Sequence, residues 1–192
     1  MIAAKNGCVL AVNADEANNR WSKKDASVGV LLRDHKILWD KTKKSTYKGF
    51  PNLDNLVLYD DGRMEVYNNA EKTAQEFLDM GACHVLAFGP YLIRDGVLNE
   101  ERCRIYDGSG SVARIAVGQI GEGHYMAIMC EGRTSASKGC TVWWLAQQMA
   151  ARGCVTAFNL DGGRTASIEF MGKQICTVGA APIKGGYARR AA

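Results

Sequence analysis

Short apolar runs broken by turn residues organise this chain, with few stretches of helical period, and that pattern predicts many strands and few helices. Val28 to Leu32 turns through Arg33-Asp34-His35 into Ile37-Leu38-Trp39. Leu56 to Tyr59 turns through Asp60-Asp61-Gly62-Arg63 into Met64 to Tyr67. Tyr91 to Ile93 with Val97-Leu98, and Ile168 to Phe170 with Gln174 to Val178, repeat the arrangement around Asp95-Gly96 and Met171-Gly172. Four such units predict β-hairpins and hence antiparallel pairing. Helical spacing is confined to Ala70 to Met80, with Ala74, Phe77 and Leu78 on one face, and to Thr141 to Arg152, with Trp144, Leu145, Gln148 and Met149 aligned. Each stops at a glycine, Gly81 and Gly153.

A weak internal repeat links the two ends of the chain. Gly7 to Asp15 aligns without gaps with Gly153 to Asp161, both reading Gly-Cys, an apolar strand, then Asn-x-Asp. Gly81 to Pro90 is a third copy with one extra residue, ending in Gly-Pro. Strands apolar on both faces belong inside a covered sheet, and ligands gather at their carboxyl ends. Asn13, Asp15, Asn159 and Asp161 are therefore expected to converge on one pocket.

Composition narrows the class. The 192 residues are 47% hydrophobic and 23% charged with 3 prolines, a globular composition for a single domain, neither disordered nor collagen-like. Twenty-four basic against 20 acidic residues leave a net charge of +4, interspersed along the chain. That is no nucleic-acid footprint, and an anionic small substrate fits it better. No apolar run approaches the roughly 18 residues of a membrane span, and the start does not read as a signal peptide. Seven cysteines form no C-x-x-C pair, and most sit in apolar runs as small buried hydrophobes, which sets a disulfide framework or a zinc site aside. Together with the missing leader they suit a reducing interior or a phage particle. His35, His84 and His124 share no ligand spacing: His35 reads as a solvated turn residue, His84 as a core side chain, and His124, after a Gly loop, as a strand start within reach of a site. Of the adjacent Trp143 and Trp144, one belongs to the core and the other to the surface.

Asn159-Leu160-Asp161-Gly162-Gly163-Arg164-Thr165 is the strongest local signal. Two glycines after a carboxylate let the backbone turn sharply and present its N–H groups to an anionic oxygen. An ordinary turn with Asp161 bonding its own backbone explains the pattern equally well. Arg114 and Arg133 have the planar fork that grips two phosphate oxygens, while a solvated strand-end charge contributing little to the core is the plainer reading of each.

With these landmarks in order, the chain resembles the phosphodiester glycosidase family. Asn159 to Gly163 is similar to that family's Asn-Leu-Asp-Gly-Gly-Gly-Ser-Ser, Val12-Asn13-Ala14-Asp15 to its Ile-Asn-Gly-Asp, and Ala87 to Ile93 to its Phe-Gly-Pro segment. Arg114-Ile115-Ala116-Val117-Gly118 is similar to Arg-Thr-Ala-Ile-Gly, and Glu131-Gly132-Arg133 to Asp-Gly-Arg. The likeness runs from about residue 3 to residue 178. Four departures stand out: Arg164 for the third glycine, Thr165-Ala166 for the serines, Ala14 for glycine, and Glu131 for aspartate.

The resemblance implies one domain over residues 1–192, trimmed at both ends, of α+β class: a mostly antiparallel mixed sheet with a few packed helices. It implies a hydrolase that cleaves the glycosidic bond of a sugar-1-phosphodiester without cofactor or metal, in a bacterium or phage. Asp161 is then general base or nucleophile and Asp15 its partner carboxylate, with Arg114 and Arg133 clamping phosphate. Asn13, Asn159, Glu131, Gly162, Gly163, Arg164 and Thr165 complete the substrate contacts. The partner is a small-molecule or glycan phosphodiester, with no nucleic acid and no membrane span. Relatives are often secreted or surface-attached. The departures at Arg164 and Ala166 leave a second reading, a non-catalytic sugar-phosphate binding module on the same fold.

Overall fold

The computed structural model describes residues 5–14, 29–41, 53–69, 71–106, 110–163 and 166–177. Thirteen strands are described: β1 Leu10–Val12, β2 Gly29–Arg33, β3 Lys36–Lys41, β4 Asp54–Tyr59, β5 Met64–Tyr67, β6 Ala82–Phe88, β7 Tyr91–Arg94, β8 Val97–Leu98, β9 Arg114–Gly121, β10 His124–Cys130, β11 Thr156–Leu160, β12 Ile168–Phe170 and β13 Lys173–Gln174. Helices α1 (Ala74–Asp79), α2 (Glu100–Tyr106) and α3 (Val142–Ala151) accompany them. The class is α+β, as expected. The strands divide into two five-stranded sheets, ordered β3-β2-β6-β4-β5 and β10-β9-β11-β7-β8, and a three-stranded sheet β1-β12-β13. Every described strand pair is antiparallel.

All four expected hairpins form, and β9 with β10 makes a fifth through Glu122-Gly123. Helix α1 starts at Thr73, where the hydroxyl accepts from Glu76 N–H and the Glu76 carboxylate accepts from Thr73 N–H, a reciprocal capping box. Helix α3 is capped by Thr141. Helix α2 was not evident from periodicity; its signal is Asn99 ahead of Glu100 and Glu101, with Cys103 N–H donating to the Asn99 carbonyl at 3.1 Å.

Three apolar clusters show how the layers stack. Leu56, Met64, Val66 and Phe88 of the first sheet meet Ile115, Phe158 and Leu160 of the second. On the outer face of the first sheet, Phe77 and Ala74 of α1 pack on Val30, Leu32, Val57 and Val85. On the outer face of the second, Leu145, Ala146 and Met149 of α3 and Cys103 of α2 pack on Leu92, Ile93, Ala116 and Ala157. The order is helix, sheet, sheet, helix, which explains why β11 is buried at all five positions. Here β1 departs from its repeat partner: Val9 is 58% and Leu10 46% exposed, because β1 pairs with β12 outside the two large sheets. The cysteines also divide. Cys103, Cys140 and Cys154 are buried, whereas Cys83, Cys130 and Cys176 are half-buried and Cys8 is exposed, and no disulfide joins any of the seven. Trp143 packs against the core and Trp144 is exposed. No helix among the described residues is long and apolar enough to cross a membrane.

Candidate active site

Antiparallel register brings four chain segments to one end of the sheets. Cys130 at the end of β10 lies opposite Arg114 at the start of β9, and Leu160 at the end of β11 lies opposite Ile115. The loops that leave these ends, Glu131-Gly132-Arg133 and Asp161-Gly162-Gly163, consequently meet over the start of β9. Their meeting requires glycine at two points. A Cβ on Gly132 would lie 2.4 Å from Ala113 N, and one on Gly162 2.5 Å from the Ala113 carbonyl oxygen. Gly163 N–H donates to that same carbonyl at 2.7 Å. The two glycines after Asp161 therefore serve close backbone approach to Ala113, beyond the turn itself.

The repeat brings Asn13 and Asp161 together as expected. Asp161 N–H donates to the Ala14 carbonyl at 2.9 Å, and Asn13 Nδ2 donates to the Asp161 carbonyl at 2.6 Å. Asn13 Oδ1 accepts from Ser167 N–H at 2.7 Å. The side-chain amide of Asn13 thus ties both ends of the 161–167 segment to the end of β1 and holds the Asp161 backbone in place. Asp15, Arg164 and Thr165 lie outside the described residues, so the carboxylate pair and the loop departures have no geometry here.

The remaining candidates sort by burial. Asn159 is fully buried, and its Nδ2 donates to the Gly89 carbonyl at 2.8 Å. Its Oδ1 is enclosed and accepts from no described residue. The amide acts within the fold, linking β11 to the Gly89-Pro90 turn that carries the Phe-Gly-Pro resemblance. Arg114 is 4% exposed, contrary to a solvated strand end. Its Nε donates to the Cys140 carbonyl at 3.4 Å, an NH group donates to the Gly110 carbonyl at 3.2 Å, and the guanidinium sits 5.1 Å from the Tyr106 ring centre. Arg133 is exposed, holds φ +59 in the left-handed region, and brings its guanidinium to 3.9 Å from where a side chain at Gly163 would begin. A non-glycine residue in that conformation is held there by its surroundings, here the crowding of Gly132 against Ala113. Glu131 Oε1 accepts from Thr177 N–H at 2.6 Å, fixing its carboxylate against the chain after β13. His124 begins β10 beside Gly121, at the other end of β9 from Arg114, roughly 20 Å away at strand rise, so it takes no part in the site.

One supporting residue was missed in the sequence. Asp54, 1% exposed, accepts from Arg102 at 2.5 Å, from Asn69 N–H at 3.0 Å and from Tyr91 N–H at 3.1 Å. Burial pushes its carboxyl up, against the Arg102 charge and the two N–H groups. Asp54 thereby anchors the Gly89-Pro90 turn, whose other side is held by Asn159. Its only sequence signal is a carboxylate opening an otherwise apolar strand. A cleft of about 490 Å³ lined by Tyr91, Arg94, Val97, Leu98 and Glu101 shares no residue with the Asp161 turn.

A model of the phosphodiester glycosidase family matches residues 6–185. The chain belongs to the phosphodiester glycosidase family. Among solved structures, the catalytic domain of zebrafish N-acetylglucosamine-1-phosphodiester alpha-N-acetylglucosaminidase, auto-inhibited by its pro-peptide, superposes with a TM-score of 0.70 at 17% identity, over 98% of this chain and 62% of that one. A hypothetical protein from Synechocystis gives 0.56 at 13% identity, over 91% and 49%. These likenesses show the fold. Among curated proteins, the SPbeta prophage-derived uncharacterized protein YomE of Bacillus subtilis strain 168 is 29% identical over 175 residues, 91% of this chain. The chain spans only 26% of that relative's length. A prophage relative fits the bacterial or phage setting.

The burial of Arg114 carries a prediction. Arg114→Ala removes a cation beside Tyr106 and leaves the Cys140 and Gly110 carbonyls without that donor, so it lowers folding stability by about 2 kcal/mol. Urea denaturation with an unchanged m-value measures this; an unaltered midpoint means the guanidinium is solvated after all.

Proposed function

We propose that this chain hydrolyses the glycosidic bond of a sugar-1-phosphodiester, with Asp161 as the catalytic carboxylate. The observation that supports this most directly is the fixed Asp161 turn facing Arg133 in a member of the phosphodiester glycosidase family. Water adds its hydroxyl to C1 of the sugar, the C1–O bond breaks, and a phosphomonoester leaves with the bonding pair. That leaving group is weakly basic, its second pKa being about 6, so a strong general acid matters less than cations around the phosphate. Charge that develops at C1 is oxocarbenium-like and is stabilised by carboxylates on either side, Asp161 and Asp15, one of which takes the proton of the attacking water or bonds C1 covalently.

Arg133, exposed and beside Gly163, is the phosphate contact in this reading, with Arg164, Thr165 and the Gly162-Gly163 segment as the further residues assigned to the substrate. Arg114 acts through position, holding residues 110 and 140 under the loop. Asn13 likewise orients the Asp161 turn, Asn159 steadies the strand that leads into it, and Glu131 completes the substrate contacts. The zebrafish neighbour's name makes N-acetylglucosamine-1-phosphodiesters the first substrates to try. The test incubates the chain with methyl phosphodiesters of N-acetylglucosamine-1-phosphate and other sugar-1-phosphates and measures free reducing sugar. Release of sugar together with methyl phosphate supports the proposal. Binding without release over long incubation replaces it with the binding-module reading, which the departures at Arg164 and Ala166 favour.

A further inference from the structure

At the opposite end of the first sheet, two hairpin turns and the start of β6 place a histidine, an aspartate and a cysteine together. The donor atoms of His35, Asp60 and Cys83 all lie within 4.8 Å of one another. His35 Nε2 is 2.9 Å from Asp60 Oδ2. We propose that these three side chains bind a thiophilic divalent cation of the zinc type, with a fourth position open to water. The site is separate from the Asp161 turn: Cys83 is the second residue of β6 and Phe88 ends it beside Gly89, about 17 Å further along the strand.

Three features of the backbone build this cluster. Register between β4 and β6 passes from Leu58 opposite His84 to Tyr59 opposite Ala82, leaving Cys83 as the extra residue of a bulge. A bulge turns its side chain away from the regular alternation and so re-aims a ligand. His35 N–H donates to the Cys83 carbonyl at 3.0 Å, fixing the β2–β3 turn against that bulge. The turn itself holds Asp34 at φ +48 and His35 at φ +57, two non-glycine residues in the left-handed region where Asn-Gly is the easy solution. The site thus has side chains from two hairpin turns and one strand bulge, with the His35 turn held to the bulge by its main chain.

The donor set decides the class of cation. Imidazole nitrogen, thiolate sulfur and carboxylate oxygen are the zinc ligands, at about 2.0–2.3 Å, and tetrahedral ligands at those lengths lie about 3.3–3.8 Å apart. Spacing within 4.8 Å reaches that geometry by side-chain rotation alone. Thiolate discriminates against magnesium and calcium. Local charge favours a cation as well: among the described residues the ion-pair partners of Asp60 and Asp34 are the imidazoles of His35 and His84, the latter at 3.8 Å.

Cobalt substitution tests the proposal. Full-length protein, stripped with chelator and titrated with Co²⁺, is expected to bind one equivalent, with a near-ultraviolet thiolate-to-cobalt band and the visible bands of tetrahedral cobalt, both abolished by added Zn²⁺. Cys83→Ser removes the thiolate band, His35→Ala and Asp60→Asn each weaken binding by about tenfold or more, and Cys8→Ser, at an exposed cysteine elsewhere, changes nothing. In the unsubstituted protein, Zn²⁺ slows alkylation of Cys83 but not of Cys8, read by mass spectrometry, which keeps the test independent of variant folding. No thiolate band, a band that survives Cys83→Ser, or equal alkylation with and without zinc overturns the site.

Discussion

Asp161→Asn lowers turnover of a sugar-1-phosphodiester by about 10² or more while leaving substrate affinity nearly unchanged. The amide keeps the size and hydrogen-bonding reach of the carboxylate but has neither its charge nor its basicity, so what is lost is stabilisation of the charged state at C1. The Asp161 backbone is held by Ala14 and by the Asn13 amide, contacts that do not involve its carboxylate. Those backbone contacts are open to the variant as well, and urea denaturation of Asp161→Asn beside the parent separates a change in chemistry from a change in folding. Steady-state kinetics with free sugar as product separates the two: a fall in kcat with constant KM is expected. A variant as active as the parent takes Asp161 out of the reaction.

The same turn shows what could be read in the sequence and what could not. Hairpins were legible because alternation and turn residues are local, and helices α1 and α3 because Gly81 and Gly153 stop runs of helical spacing, although α1 begins at Ala74 behind its Thr73 cap and not at Ala70. Convergence of Asn13 with Asp161 was legible through the repeat. Partners across a sheet were not. Strand period fixes which residues share a face, yet nothing in it says that β2 pairs with β6 or that β11 lies between β9 and β7. The stacking of two sheets follows from those pairings, and with it the fate of Arg114. As a strand-start arginine it reads as solvated, but residues 110 and 140 and the ring of Tyr106 close over it. His35 and Cys83 were unreadable as a pair for the same reason: one sits in the β2–β3 turn and the other near the start of β6, and the β2–β6 pairing brings them together. Asp54 was hidden differently, since a buried carboxylate is recognised by its partners and Arg102 lies 48 residues further along the chain.

Close backbone approach at Ala113 makes the second large effect a glycine substitution. Gly162→Ala destabilises the protein by about 3 kcal/mol and removes most of any hydrolytic activity, because the new methyl meets the Ala113 carbonyl oxygen at 2.5 Å. Relief requires the 161–163 turn to lift from the start of β9. Lifting breaks the 2.7 Å bond from Gly163 N–H to that carbonyl and carries Asp161 away from Ala14. A geometric cost at Gly162 is thus passed directly to the carboxylate. Gly172→Ala supplies the comparison. Gly172 turns the β12–β13 hairpin at φ +75, with nothing within 4 Å of an added Cβ, so only the left-handed backbone penalty of about 1 kcal/mol applies. Urea denaturation of both variants is expected to place Gly162→Ala well below Gly172→Ala, with activity lost only in the former. Equal midpoints mean the turn accommodates a methyl by moving freely, and the rigid presentation of Asp161 by the Ala113 contact then falls with it.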